Sequence, residues 1–232
     1  MCAKHSPRWA ARPFVALAAV ATATRTLKLG TAISLVTERE PIVLAKQVAT
    51  LDVLSGGRFI LGVGAGWNED EMRHHGTDPR QRWSVLEERV EAMRRLWTME
   101  EAEYHGRHVD FSPSWQWPKP VQHPHPPILI GGEGRRVRER VVRYADGWMP
   151  IVGRDPDLAG SIAELRTLAR DAGRDVTVTL ATFPPTREQI EQFAELEVER
   201  VIILAASIPG DQLLPVLDEL AASIAPFALS PA

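Results

Sequence analysis

Pro127-Ile128-Leu129-Ile130-Gly131-Gly132-Glu133-Gly134-Arg135-Arg136 is the stretch from which the fold is read. Pro126 and Pro127 open it, and the apolar run that follows reads as a short buried strand. Glycine then stands at 131, 132 and 134, and a helical pattern begins at Arg135. A strand feeding a glycine loop and a helix start suits an anion. Glycines let backbone N–H groups approach a phosphate, and the helix dipole favours negative charge there. The spacing is not that of a dinucleotide loop, because Val137 stands where a third glycine belongs. The same residues also suit a tight strand-to-helix turn with no ligand.

Outward from this stretch, strands and helices alternate. Upstream, a helical pattern over 13–24 leads to a Leu-, Ile-, Val- and Thr-rich strand at 27–36. A helix opening at Pro41 buries Leu44, Val48 and Leu51, and Ser55-Gly56-Gly57 stops it. The next strand, 58–64, runs into a second glycine loop, Gly64-Ala65-Gly66-Trp67, followed by helix-starting Asn68, Glu69 and Asp70. A longer helix over 80–99 buries Leu86, Val90, Met93 and Trp97. Residues 101–126, rich in proline and tryptophan, read as an irregular lid or insertion. Four histidines lie in it, at 105, 108, 123 and 125. With no His-Glu-x-x-His and no cysteine pair, they read as surface histidines rather than metal ligands.

Downstream of the central loop, a helix with Val137, Val141 and Tyr144 ends near Gly147, and strands follow at 147–152, 176–183 and 200–205. Asp155-Pro156 starts a helix burying Leu158, Ile162, Leu165 and Ala169. Thr186 and Gln189 form a capping box, and Asp211 caps a last helix with Leu213, Leu217 and Leu220 inward. Six strands alternating with helices predict a parallel α/β sheet of (β/α)8 barrel type, incomplete by two strands, in a single domain over 1–232. The two glycine loops place a ligand at the carboxyl ends of the strands.

Composition narrows the class. A chain of 232 residues, 44% of them hydrophobic, buries a full core, and a net charge of -3 gives no electrostatic case for nucleic acid. The arginines at 135, 136, 138, 140 and 143 share one helix with Glu139, which reads as a solvated face with one or two phosphate neighbours. Cys2, the single cysteine, excludes an internal disulfide. No interior run is long enough to span a bilayer, and the chain reads as a soluble cytoplasmic protein. Lys4, Arg8 and Arg12 before the apolar 14–21 run also fit a short secretory leader; Pro13 and the helical spacing of Phe14, Leu17 and Ala21 favour a retained helix.

The segments LAAVATATRTLKLGTAISL, PIVLAKQVATLDVLSGGRFILGVGAGW, PKPVQHPHPPILIGG and YADGWMP resemble the bacterial luciferase-like monooxygenase family, in the branch of coenzyme F420-dependent oxidoreductases. The resemblance covers residues 13 to about 151 and continues as strand–helix order beyond. It implies a (β/α)8 barrel with an insertion between the family's fourth and fifth strands, at about 67–126 here. It also implies coenzyme F420, with FMN as the alternative, lying across the strand carboxyl ends. By the same resemblance Gly131, Gly132, Glu133 and Gly134 with Arg135 hold the coenzyme phosphate. Thr31 and Ala32 back the ring, through a bulge or a non-proline cis peptide, and Gly64, Ala65 and Gly66 lie beside the ring or its ribityl chain.

Three positions depart from the family pattern. Its first two strand–helix units, which carry acidic or histidine groups near the ring, have no counterpart, so no catalytic residue is assigned. Glu40 precedes Pro41 where many relatives carry histidine, and Glu133 stands where a small residue is usual. The expectation is therefore an oxidoreductase or monooxygenase acting on a small organic substrate, self-associating through its open sheet edges. The alternative is a shortened, non-catalytic relative or partner subunit. Arg138, further along the helix than Arg135, is expected to matter little to the phosphate site.

Overall fold

The computed structural model describes residues 12–205 and 208–225. Lys4 and Arg8, on which the leader reading rests, and Cys2 lie outside the described residues. The chain runs α1 (Pro13–Ala23), β1 (Leu29–Gly30), β2 (Ser34–Leu35), α2 (Pro41–Ser55), β3 (Phe59–Gly64), α3 (Glu69–His74) and α4 (Arg82–Thr98). It continues through β4 (Glu101–His105), β5 (Asp110–Trp115), β6 (Ile128–Gly131), α5 (Arg135–Tyr144) and β7 (Gly147–Met149). Then come α6 (Leu158–Asp171), β8 (Thr177–Thr182), α7 (Arg187–Glu195), β9 (Arg200–Ile203) and α8 (Gly210–Ile224).

The main sheet is parallel throughout, in the order β1–β3–β6–β7–β8–β9, with β2 also beside β3. Register pairs Leu61 with Ile128, Ile130 with Trp148, and Leu180 with Val201. Parallel neighbours need crossovers, and the helices supply them, so the sheet curls into an arc of a (β/α)8 barrel, as the alternation predicts. Phe59, Leu61, Ile128, Ile130 and Trp148 are fully buried in the strands. Leu44, Leu86, Met93, Ile162 and Leu165 are fully buried from the helices. Each contributes about 1.5–3 kcal/mol by leaving water. α8 has no buried residue, so the C-terminal rim is the weakest part of the arc.

Helix boundaries follow local chemistry. Pro41 is pre-set for the first turn of α2, and Glu40 caps that helix with both carboxylate oxygens, accepting from the N–H groups of Ile42 at 3.0 Å and Val43 at 2.7 Å. Gly56 ends α2 in the left-handed conformation at φ 65°. The capping box of Thr186 and Gln189 opens α7.

Four expectations are corrected. The strand read at 27–36 is two short strands. Residues 31–33 bulge out of the ladder, held there by the Thr31 hydroxyl, which donates to the Gly62 carbonyl at 2.7 Å. The 101–126 segment is not irregular throughout, since β4 and β5 form an antiparallel hairpin pairing Tyr104 with Phe111. The alternating Glu101-Ala102-Glu103-Tyr104 is the period-two signal, with Ala102 buried between exposed glutamates. α6 starts at Leu158 on an Asp157 cap rather than at Asp155, and Leu158 is only half-buried. Leu213, Leu217 and Leu220 do not point into a core, because among the described residues α8 and the edge strand β9 have no outer neighbour to close over them.

Candidate functional site

The two glycine loops and the 31–33 bulge leave the carboxyl ends of adjacent strands β6, β3 and β1, so the sheet order alone brings them together. Ile33 is the piece they share. A Cβ added to Gly64 would lie 1.9 Å from Ile33 Cδ1, and one on Gly131 would lie 3.0 Å from Ile33 Cγ2. Two residues earlier on β3, a Cβ on Gly62 would lie 1.9 Å from the Thr31 carbonyl oxygen. The glycines at 62, 64 and 131 therefore exist to admit the bulge, and Ile33 remains 37% exposed over them as an apolar platform. The peptide joining Ala32 to Ile33 is cis. Thr31 is buried and Ala32 exposed.

Ala65 is buried, and its carbonyl accepts from the Thr37 hydroxyl at 3.1 Å; the Thr37 carbonyl in turn accepts from Thr77 at 2.6 Å. These two bonds fix the Gly64–Gly66 loop against the segment that follows β2. Gly66 takes φ 81°, which a side chain would resist, and a Cβ there would lie 3.8 Å from Glu38 Oε1. Burial, reinforced by the charge of Glu71, pushes the Glu38 carboxyl up from its ordinary range, against the pull of His75 and Arg39.

At the central loop, Gly132 and Gly134 take φ 123° and 90°. α5 starts on Gly134 with no side-chain cap, and the Gly134 carbonyl accepts from Val137 and Arg138. The N–H groups of Arg135 and Arg136 have no acceptor among the described residues. A Cβ built on Gly134 meets nothing within 4 Å, so the space in front of these donors is open. An uncapped helix start, two free donors and an open approach fit a phosphate.

Two side chains of the loop modify that picture. Arg135 is 66% exposed and already engages Glu139 at 2.9 Å and Glu164 at 3.2 Å. A phosphate would meet a guanidinium whose charge is partly answered, leaving the backbone donors as the principal contact. Glu133 is half-buried, and its Oε1 lies out of water without a hydrogen-bond partner.

The sequence reading missed the residues that hold this loop. Trp148 is fully buried in β7, and its Nε1–H donates to the Gly132 carbonyl at 2.7 Å. The Arg138 guanidinium stacks over the Trp148 ring at 5.6 Å, bonds Glu164 and lies 3.6 Å from Asp155. Arg138 is buried, so the solvated-face reading of this helix is corrected at that position: the side chain packs on the tryptophan that bonds the loop. The available signal was the indole itself, since a buried Trp N–H needs an acceptor and the glycine loop is its neighbour across the sheet. On the outer side, Trp83 lies 3.8 Å from a Cβ on Gly132, with the Arg140 guanidinium 4.5 Å from its ring centre.

Of the loop histidines, His125 is the exception to the surface reading. It is buried, bonds the Pro126 carbonyl through Nδ1 at 2.9 Å and accepts from Arg94 at Nε2 at 3.1 Å. That is the environment of a core histidine. No helix among the described residues is long and apolar enough to cross a membrane.

The comparisons with known proteins show the family and the fold. The model of the luciferase-like monooxygenase family matches residues 2–214. An uncharacterized protein of Mycobacterium tuberculosis is 42% identical over 216 residues, which are 92% of this chain and 76% of that protein. The FMNH(2)-dependent dimethylsulfone monooxygenase of Pseudomonas putida is 30% identical over 155 residues, 66% of this chain, which spans only 43% of that enzyme. Among solved structures, the monooxygenase RslO1 from Streptomyces bottropensis superposes with a TM-score of 0.70 at 25% identity, over 92% of this chain and 66% of its own. The coenzyme F420-dependent tetrahydromethanopterin reductase from Methanopyrus kandleri shares the fold, with a TM-score of 0.64 at 22% identity over 75% of this chain and 55% of its own. A glycine loop opening an uncapped helix, a bulge seated on neighbouring glycines and a parallel barrel arc thus occur together in a chain that belongs to the luciferase-like monooxygenase family.

Proposed function

We propose that this protein is a coenzyme-dependent oxidoreductase that transfers a hydride between a deazaflavin or flavin and a small organic substrate at the carboxyl face of the barrel. The observation that carries the proposal is the 131–136 segment, where two helix N–H groups stand free before open space. In this reading the Arg135 and Arg136 N–H groups hold the coenzyme phosphate and Gly134 keeps its approach clear. Ile33 supplies an apolar support under the ring, and Thr31 fixes the bulge that carries it. The bound coenzyme supplies the hydride, or with FMN the reduction of oxygen; the protein's share is placement and exclusion of water. Coenzyme F420 is preferred to FMN on the branch that the sequence resembles. The enzyme acts as a homo-oligomer in the cytoplasm.

Fluorescence titration of coenzyme F420 and of FMN into the wild-type chain and Gly134→Val tests the proposal. Wild type should bind one of the two, and Gly134→Val should lose most of that affinity at equal folded fraction. If neither coenzyme binds the folded wild type, the oxidoreductase reading fails. The second reading, a non-catalytic relative, then stands, favoured by the open edges at β1 and β9.

A further inference from the structure

Beside the Gly64–Gly66 loop, the segment 38–42, α4 and the β4–β5 hairpin border an open cavity of about 350 Å³. Arg39 and Arg89 line it, and neither forms an ion pair among the described residues. Arg89 donates from Nη1 to the Val36 carbonyl at 2.8 Å, while its Nε is buried with no acceptor. Arg39 lies 5.5 Å from the centre of the Phe14 ring; Glu38 offsets part of its charge and Glu40 part of that of Arg89, in neither case as an ion pair within 4 Å. Burial pulls both guanidinium pKa values down. Two partly desolvated guanidiniums with donors to spare form an incomplete set.

The carboxylates on the same wall do not complete it. Both oxygens of Glu40 are committed to the first turn of α2, and Asp110 holds His105 Nδ1 at 2.7 Å. Glu38 is shifted toward its neutral form. The rest of the wall is His75 and His108 with the apolar Pro41, Ile42, Val109 and Phe111. We propose that this cavity binds a small carboxylate with an aryl or alkyl body, its head on Arg39 and Arg89 and its body against Ile42, Val109 and Phe111. A carboxylate meets a guanidinium through two parallel hydrogen bonds, which is the capacity these arginines retain. The cavity adjoins the coenzyme face at Glu38 and Gly66 but uses no residue of the 131–136 segment. The proposal therefore does not depend on which coenzyme binds, or on whether one does.

Calorimetric titration with phenylacetate and its neutral isostere phenylacetamide tests it. Wild type should bind phenylacetate at least tenfold more tightly than the amide. Arg89→Met and Arg39→Met should each remove that preference. Arg39→Met is the cleaner of the two, because among the described residues the Arg39 side chain donates no hydrogen bond to the backbone and its main-chain N–H bond to Val36 survives the change, whereas the Arg89 side chain itself holds the Val36 carbonyl. Arg170→Met, on the exposed side of α6, should leave both affinities unchanged. Equal affinity for the two probes, no binding of either, or an unaltered preference in folded Arg39→Met would each overturn the proposal. Coenzyme titration of Arg39→Met separates the two sites: it should match wild type.

Discussion

The indole Nε1–H of Trp148 donates a 2.7 Å hydrogen bond to the carbonyl of Gly132 across neighbouring strands. One side chain in β7 thereby sets the height of the glycine loop that follows β6, and Arg138 from α5 holds that side chain from the other side.

Trp148→Phe keeps the aromatic filling and removes only the donor. Equilibrium denaturation should show a loss of about 1–2 kcal/mol, the cost of a buried carbonyl left without its partner. Coenzyme affinity should fall several-fold at fixed folded fraction. Arg138→Ala should cost more, roughly 3 kcal/mol, because it removes the cation facing the buried Asp155 carboxylate and leaves Glu164 with the exposed Arg135 alone. Equal stability of Arg138→Ala and wild type would refute the bracing role.

Gly62→Ala and Gly64→Ala bring a Cβ equally close to a neighbour, at 1.9 Å, but against different atoms. At 62 the obstacle is the backbone carbonyl of Thr31, which cannot move without breaking the bulge. At 64 it is the terminal methyl of Ile33, which can rotate away. Thermal melts should find Gly62→Ala unfolded or destabilised by more than about 3 kcal/mol, and Gly64→Ala by about 1–2 kcal/mol. A Gly64 variant worse than the Gly62 variant would contradict this order.

The raised Glu38 pKa fixes the sign of a pH effect. A carboxyl raised in the folded state favours folding in its protonated form. That contribution is full below the unfolded pKa and is lost as pH rises through the folded one. Glu38→Gln mimics the neutral acid at every pH. It should melt higher than wild type at pH 7, with the advantage shrinking toward zero at about pH 4 and below. Parallel melting curves with a constant difference across that range would show that burial does not govern this group.

Among the described residues the edges of the arc are open at β1 and β9, and apolar side chains stand exposed near them: Val15 and Leu27 at one side, Val201, Leu214 and Leu217 at the other. Unpaired strand edges beside apolar surface promote association. Light scattering at micromolar concentration should find species larger than the 25.8 kDa monomer. A single monomeric species across a hundredfold concentration range would count against it.

Periodicity carried most of the fold. Leu44, Val48, Leu86, Val90 and Met93 lie at helical spacing and are all buried, and the strand at 58–64 is continuous and apolar, as a strand covered on both faces should be. The bulge at 31–33 was not visible from residue types as a break, because Leu, Gly, Thr and Ile suit an extended strand equally well. What reveals it is the row of glycines on β3, whose missing side chains are explained only by a neighbour. The hairpin was masked by the prolines and tryptophans around it, although Glu101–Tyr104 alternates. Glycine loops placed the candidate site at the strand carboxyl ends, and the sheet order brings those loops side by side. Trp148 and Arg138, which position it, lay in segments read as ordinary strand and solvated helix.

Asp52, fully buried near the end of α2, accepts hydrogen bonds at Oδ2 from the N–H groups of Val121 and Gln122, at 2.8 and 3.0 Å. Lys119 Nζ, two residues earlier, bonds the Leu96 carbonyl at the end of α4 at 2.7 Å. The returning chain is thus moored to two barrel helices before it enters β6. Everything between Thr98 and Lys119 can then behave as a replaceable cassette, free to change length and composition while the mooring keeps the strand that follows in register. Diversity in what the mouth of the barrel admits can be rewritten there without renegotiating the frame.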